Sequence, residues 1–229
     1  MNRMDTIIPS PTSTFLRKLL YLSPAIWLIL LLPGWIYTIF VLFALVWILE
    51  LRIPHISARW VPIGLFATLL FFGLLIEASA WGDDYVAGVW STSLHPQLLY
   101  GLLAGVGLYG AWALAWTIAL SCYHYTVSEV FWLAGAIGIA VEQQGAVFLA
   151  GITNMPLGLL LWAISALVYG ASVALPYTLW QTHLQGSSSR LRWVIPVLLV
   201  LIIGSLVGWA WDVAIPLPDH KPILTAPLW

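Results

Sequence analysis

Charge is what this chain has least of. Only eight of its 229 residues are Lys or Arg and nine are Asp or Glu, 7% in all, where a soluble domain carries roughly 25%. The formal net charge of -1, with no run of basic residues, leaves no field to hold nucleic acid, so no nucleic acid is expected among its partners. A single cysteine, Cys122, excludes an internal disulfide and any cysteine-built metal site. It reads as a small packing residue near a helix end. The five histidines, His55, His95, His124, His183 and His220, all fall in expected loops or at helix ends, which argues against a haem held between helices. There is no HExxH and no helix-borne histidine set of the kind a zinc hydrolase needs. No lysine lies in mid-span, so a retinal Schiff base is excluded. The sequence assigns no metal and leaves any cofactor unknown.

What is present is apolar. Hydrophobic residues fill 62% of the chain, against roughly 45–50% for soluble proteins. The expected fold class is therefore all-α, a polytopic transmembrane helical bundle of about seven spans in a plasma or inner membrane. Membrane lipids are the expected surroundings, and partner membrane subunits are a further expectation. Fifteen tryptophans fall mostly where an aromatic belt at the two interfaces would want them. Arg17 and Lys18 precede the first apolar run in the manner of a signal peptide. No small-x-small cleavage site follows, however, and apolar sequence resumes after Pro33-Gly34, so the segment reads as retained.

Taken in order, residues 1–14 read as a cytoplasmic arm, residues 15–214 as one transmembrane domain and residues 215–229 as an extended proline-rich outer tail. Phe15 to Leu51 is too long for one span of ~20 residues, and Pro33-Gly34 near its middle is a turn signal. Two readings compete, one kinked helix or a tight hairpin. The hairpin keeps Arg17 and Lys18 on the side of Arg52 and Arg59, and is preferred. The third span is expected over Trp60–Ala80, followed by a long loop at 81–96 that lies as a lid over the outer mouth. Spans follow at Gln97–Leu120, at Val127–Gly151, from Met155 to about Trp180, and at Trp193–Ala214. With the amino terminus inside and the carboxyl terminus outside, every Lys and Arg except Lys221 is cytoplasmic, as the positive-inside rule asks. Thr126-x-x-Glu129 fits a helix-capping box, a structural role for that glutamate.

The fifth span stands out, because an otherwise apolar helix carries Glu142, Gln143 and Gln144. At ~100° per residue these three fan over more than half the helix circumference. A central helix enclosed by protein, locally unwound at Gly145, is the expected solution. A carboxylate in such a helix costs ~2.5–3.5 kcal/mol even on gentle insertion scales, so Glu142 reads as functional. Glu77 and Asp212 lie toward the same outer side. Each of the three acids has a glycine four residues earlier (Gly73, Gly138, Gly208), a notch one turn away where a helix or ligand could approach. The candidate catalytic residues are Glu142, Glu77 and Asp212. The candidate ligand-binding residues are Gln143, Gln144, Gly138, Trp81 and His95. Asp83 and Asp84 read as solvated loop charges.

The stretch SEVFWLAG, residues 128–135, is similar to the glutamate motif of CAAX-protease-like membrane proteins. The chain lacks the paired glutamate, the arginine and the later helix histidines of that family, so its activity does not carry over. The leading expectation is an outward-facing acidic pocket in an enzyme or binding protein for a lipid-like ligand, isoprenoid or acyl, with Glu142 as acid and base. A small proton- or cation-coupled transporter is the second reading, and a structural subunit of a larger membrane complex the third.

Overall fold

A computed structural model describes residues 11–32, 34–54 and 56–215, without the side chains of residues 11–14 and of Asp212. The expected arm over residues 1–10, Pro33, His55 and the expected tail from residue 216 onward lie outside the described residues. The chain is helical throughout the described part: α1 Pro11–Leu31, α2 Thr38–Ile48, α3 Val61–Ala87, α4 Leu98–Cys122, α5 Val127–Val141, α6 Ala146–Thr153, α7 Leu157–Trp180 and α8 Ile195–Ala214. Among the described residues there is no strand, only a lone bridge between Tyr123 and Ser187. Four helical stretches, Ala58–Ala87, Leu98–Cys122, Val127–Thr153 and Leu157–His183, are long and apolar enough to cross a bilayer.

Local chemistry sets the helix ends. Pro62 and Pro196 open α3 and α8, positions where a missing N–H costs nothing. Thr126 and Glu129 form a complete capping box at the start of α5. Gly88 stops α3 in the left-handed region at φ 69°, a conformation that a glycine adopts without a Cβ clash. That end lies seven residues beyond Ala80, so Trp81 to Ala87 are helix and the connection shrinks to residues 88–97. α1 likewise begins at Pro11, inside the stretch expected as a loose arm.

Packing follows the small residues. Gly135 lies against Ala166, and Gly170 against the Phe131 backbone and ring, so α5 and α7 approach backbone to backbone. α7 packs on α2, α3, α5 and α6. Half of its apolar window is buried, against 22% for Val127–Thr153. The bundle is thus organised around α7, not around the fifth span as the sequence suggested. The polar run at 142–144 asked for enclosure, but the small face of α7 (Ala166, Gly170, Ala171, Ala174) is what lets neighbours close in. Trp116, Leu65, Leu69, Leu120, Val130, Val173 and Leu175 fill the core. α8 packs on α4, with the Trp211 indole against Gly107 and its N–H donating to the Leu103 carbonyl at 3.1 Å.

The two ends of the bundle differ in charge. Lys18 near the start of α1 bonds Glu50 (2.7 Å) and the Trp47 carbonyl (2.9 Å) past the end of α2, so α1 and α2 run antiparallel. The Lys18 ammonium holds the Glu50 carboxyl below its usual range. Arg192 pairs with Glu129 at 2.8 Å and donates to the His124 carbonyl at 2.9 Å. Among the described residues all six Lys and Arg (Arg17, Lys18, Arg52, Arg59, Arg190, Arg192) lie at this basic end. Glu77, Asp83 and Asp84 lie toward the other, acidic end.

Candidate functional site

The long fifth helix breaks where its polar residues stand. α5 stops at Val141, and Glu142 leaves the helical region with ψ 128°. Gln143, Gln144 and Gly145 then follow with φ 48°, 57° and 89°. Three consecutive left-handed residues, two with side chains, make a true interruption rather than a bend. Beyond it α6 continues antiparallel to α7: the Trp162 N–H donates to the Val147 carbonyl at 3.1 Å, and the Trp162 ring covers Gly151. The pair α5–α6 is therefore one discontinuous helix running alongside α7, and its break carries the carboxylate.

Glu142 turns inward at that break and accepts a hydrogen bond from the Tyr169 hydroxyl of α7. The Tyr169 ring lies on Gly138, one turn before Glu142, and meets Trp112 of α4 edge-on at 5.4 Å. The second glutamate sits in a matching arrangement. Glu77 on α3 is only 2% exposed, and Gly73, one turn before it, is covered by the ring of Tyr109. A Cβ at Gly101 would stand 2.8 Å from Glu77 Oε1, so that glycine makes the space for the carboxyl group. The Leu94 N–H donates to the same oxygen at 2.8 Å. The Glu77 and Glu142 carboxyl groups lie within electrostatic reach of each other, and Tyr109 and Tyr169 feel both.

Of the candidate set, the structure brings Glu142 and Gly138 together on Tyr169, and Glu77 stands one turn from Gly73, where the Tyr109 ring packs. It does not bring in the glutamines. Gln143 and Gln144 are exposed on the outside of the break, because left-handed backbone turns them away from α7. Tyr169, not a glutamine, holds the Glu142 carboxylate. The glycine notches at Gly73 and Gly138 are filled by tyrosine rings, whereas nothing lies within 4 Å of a Cβ at Gly208. Asp212 sits one residue past Trp211 in the last turns of α8.

Trp81 and His95 serve the connection at 88–97. The Trp81 N–H donates to the Pro96 carbonyl at 3.0 Å. His95 is buried, its Nδ1 accepts from the Gln97 N–H at 3.0 Å, and its ring meets Tyr100 edge-on. The two aspartates are not solvated loop charges. Asp84 is 5% exposed and accepts from Ser91 Oγ and from the N–H and hydroxyl groups of Thr92 and Ser93. Asp83 accepts from the Trp35 and Ile36 N–H groups at 2.7 and 2.9 Å, closing the first helical turn after Gly34. Both sit on α3, not in a loop, which is why burial was not expected of them.

A carboxyl group bonded to a phenol can share a proton with it. The sequence reading missed both tyrosines. Their signal was a phenol hydroxyl in mid-span, which lipid cannot satisfy. Among the described residues no group of three or more His, Cys, Asp or Glu could hold a metal ion. Compared with protein-family models, with curated proteins and with solved structures, the chain shows no match.

Proposed function

We propose that this chain is a multi-pass integral membrane protein with its basic end in the cytoplasm, and that it is a small proton-coupled transporter whose proton site is Glu142 on Tyr169. Seven spans follow if α5–α6 counts as one interrupted span and α1 and α2 as a tight hairpin, giving an inside amino terminus and an outside carboxyl terminus. The charge distribution supports this orientation, since six basic residues gather at one end and such residues stay cytoplasmic.

The observation that carries the transporter reading is the broken helix with a carboxylate at its break. Irregular backbone at membrane depth is tolerated where it is buried in protein or lines a cavity. Discontinuous helices are how many transporters place carbonyls, helix ends and acids around a coupling ion. Glu142 lies ~22 Å along the helix from Val127 at ~1.5 Å per residue, in the outer half of the bilayer. A lipid-like ligand entering past the glycine notches finds no support, because Tyr109 and Tyr169 occupy the two beside the glutamates.

Reconstitution into liposomes containing a pH-sensitive dye tests the proposal, with valinomycin and potassium to collapse the voltage. The wild-type chain should carry proton flux above that of protein-free vesicles. Glu142→Gln should abolish it with circular dichroism unchanged, and Tyr169→Phe should slow it. Full flux in folded Glu142→Gln would remove the proton site from Glu142.

A further inference from the structure

At the basic end, the connection after α2 is tied to the end of α7. The Ile53 N–H donates to the Leu179 carbonyl at 3.0 Å, and the His183 ring donates from Nε2 to the Ile53 carbonyl at 3.1 Å. Arg52 Nε donates to the Gln181 amide oxygen at 2.9 Å. A second attachment comes where α3 begins. There the Trp180 ring lies against Gly64, and its N–H donates to Thr68 Oγ1 at 3.1 Å. The two attachments bracket a cavity of about 460 Å³, with Ile53, Ile56 and Val61 from the α2–α3 side and Thr182, His183 and Gln185 from the end of α7.

The chemistry of this cavity is one-sided. One wall is aliphatic, the other offers a hydroxyl, an imidazole and an amide, and no carboxylate lines it. Thr182 and Gln185 are exposed, so their polar ends are open to a ligand. Arginines stand at its edge. The Arg52 guanidinium is held at Gln181, next to Thr182. Arg59 follows the lining residue Ala58, and its guanidinium lies 5.6 Å from the centre of the Trp60 ring. Among the described residues the acids at this end are Glu50 and Glu129, and Lys18 and Arg192 take them up. Arg52 and Arg59 form no salt bridge among the described residues, so positive charge is left over beside the cavity.

We propose that this cavity binds the phosphate headgroup of an anionic phospholipid from the cytoplasmic leaflet; the idea rests on the membrane orientation proposed above and not on proton transport. Phosphate oxygens accept from hydroxyl, amide and guanidinium donors, and basic pockets among membrane helices on the cytoplasmic side suit such headgroups. The helical apolar run begins at Val61, which sets the headgroup level with Trp60, a residue type that belongs at the interface. The first carbons of an acyl chain then cover Ile53, Ile56 and Val61. Free phosphate would meet the same donors and leave that aliphatic wall in water.

Thermal unfolding of the full chain in a neutral detergent, titrated with a soluble short-chain phosphatidylglycerol, tests the site. The lipid should raise the melting temperature of the wild type. Gln185→Glu, which sets a negative charge in the cavity, should need about fivefold more lipid for the same shift, and Gln185→Lys about fivefold less. If either variant melts early without lipid, Arg59→Gln supplies the comparison and should also need about fivefold more. Equal responses in wild type and folded variants overturn the site. Phosphatidylcholine of the same chain length acting as well as phosphatidylglycerol overturns the anionic headgroup. Inorganic phosphate acting as well overturns the lipid. The titration reads no flux, so failure of the proton site at Glu142 leaves it standing, and failure of the orientation shows separately as labelling of a cysteine at Ser188 from outside.

Discussion

Asp84→Asn isolates the element that closes the acidic end. Its two carboxylate oxygens face only donors: Oδ1 takes Ser91 Oγ (3.1 Å) and Thr92 Oγ1 (2.8 Å), and Oδ2 takes the Ser93 N–H (2.8 Å), Ser93 Oγ (2.7 Å) and the Thr92 N–H (3.0 Å). Asparagine keeps the shape but replaces one oxygen with an NH₂ group. The serine and threonine hydroxyls can rotate and accept; the backbone N–H groups of Thr92 and Ser93 cannot. With the amide nitrogen at the Oδ2 position, the buried Ser93 N–H loses its acceptor at about 1–3 kcal/mol, and the Thr92 N–H keeps only its longer bond to Oδ1 at 3.2 Å. The cost is local, because the Asp84 carboxylate ties α3 to residues 91–93 alone, while the Leu94–Glu77, Thr92–Ala80 and Trp81–Pro96 bonds hold the same segment. A loss of ~2 kcal/mol raises the opening equilibrium of the segment ~30-fold. Amide exchange followed by mass spectrometry in nanodiscs should therefore show residues 88–97 exchanging at least tenfold faster, with α5 and α7 unchanged. Asp83→Asn is the control, and should disturb residues 34–38 instead. Unchanged protection over 88–97 would refute the assignment of Asp84 as the anchor, and so would a loss spread evenly over the bundle.

Gly138→Val should drive a branched side chain into the Tyr169 ring and lower the melting temperature, at a cost of about 1–3 kcal/mol. Gly208→Val, where nothing stands within 4 Å, should stay within about 0.5 kcal/mol; equal effects at the two glycines would contradict the packing. Burial pushes the Tyr125 phenol well above its ordinary value, and its hydroxyl donates to the Arg192 carbonyl at 2.7 Å. Its contribution is present in full below the unfolded value of ~10 and is lost as pH rises through the raised folded value. The stability gap between wild type and Tyr125→Phe should thus be constant to about pH 9 and shrink above pH ~10, and parallel curves would exclude this role. Single cysteines at Thr12 and Ser188 should label from the cytoplasm and one at Ser91 from outside; cytoplasmic labelling of Ser91 would invert the orientation.

Composition made the helical class and its apolar, span-length helices legible, because both are properties of residue counts along the chain. The capping box at Thr126 and the weakness at Gly145 could be read for the same reason: each depends on residues within one helical turn. Partnership was not legible. Glu142 advertised a need for a polar partner, but Tyr169 is 27 positions away, and no local pattern links the two. Gly73 and Gly138, one turn before Glu77 and Glu142, are places of close approach, and the visitor is a tyrosine ring; Gly208, one turn before Asp212, has nothing within 4 Å. The continuation of α3 past Ala80 was hidden by Trp81-Gly-Asp-Asp, a string that reads as a loop until Asp84 is seen gathering donors from beyond the helix end. Gln143 and Gln144 misled for a physical reason: on a regular helix they would have faced neighbours, and the left-handed backbone that frees them has no reliable signature in two glutamines.

The bond between Glu142 and Tyr169 also sets an order of events during synthesis. On the membrane reading proposed above, a nascent chain offers Val127–Thr153 to the insertion machinery as one apolar segment interrupted by a carboxyl group and two amides, and the phenol that binds the carboxyl group is made only 27 residues after it. Until then the carboxyl group has no partner on its own segment, and a charged side chain held alone in hydrocarbon is costly. The fifth and sixth crossings should therefore commit to the bilayer as a pair. A ribosome stalled soon after Thr153 should leave the segment still exchanging with water, and release of about thirty further residues should lock both at once.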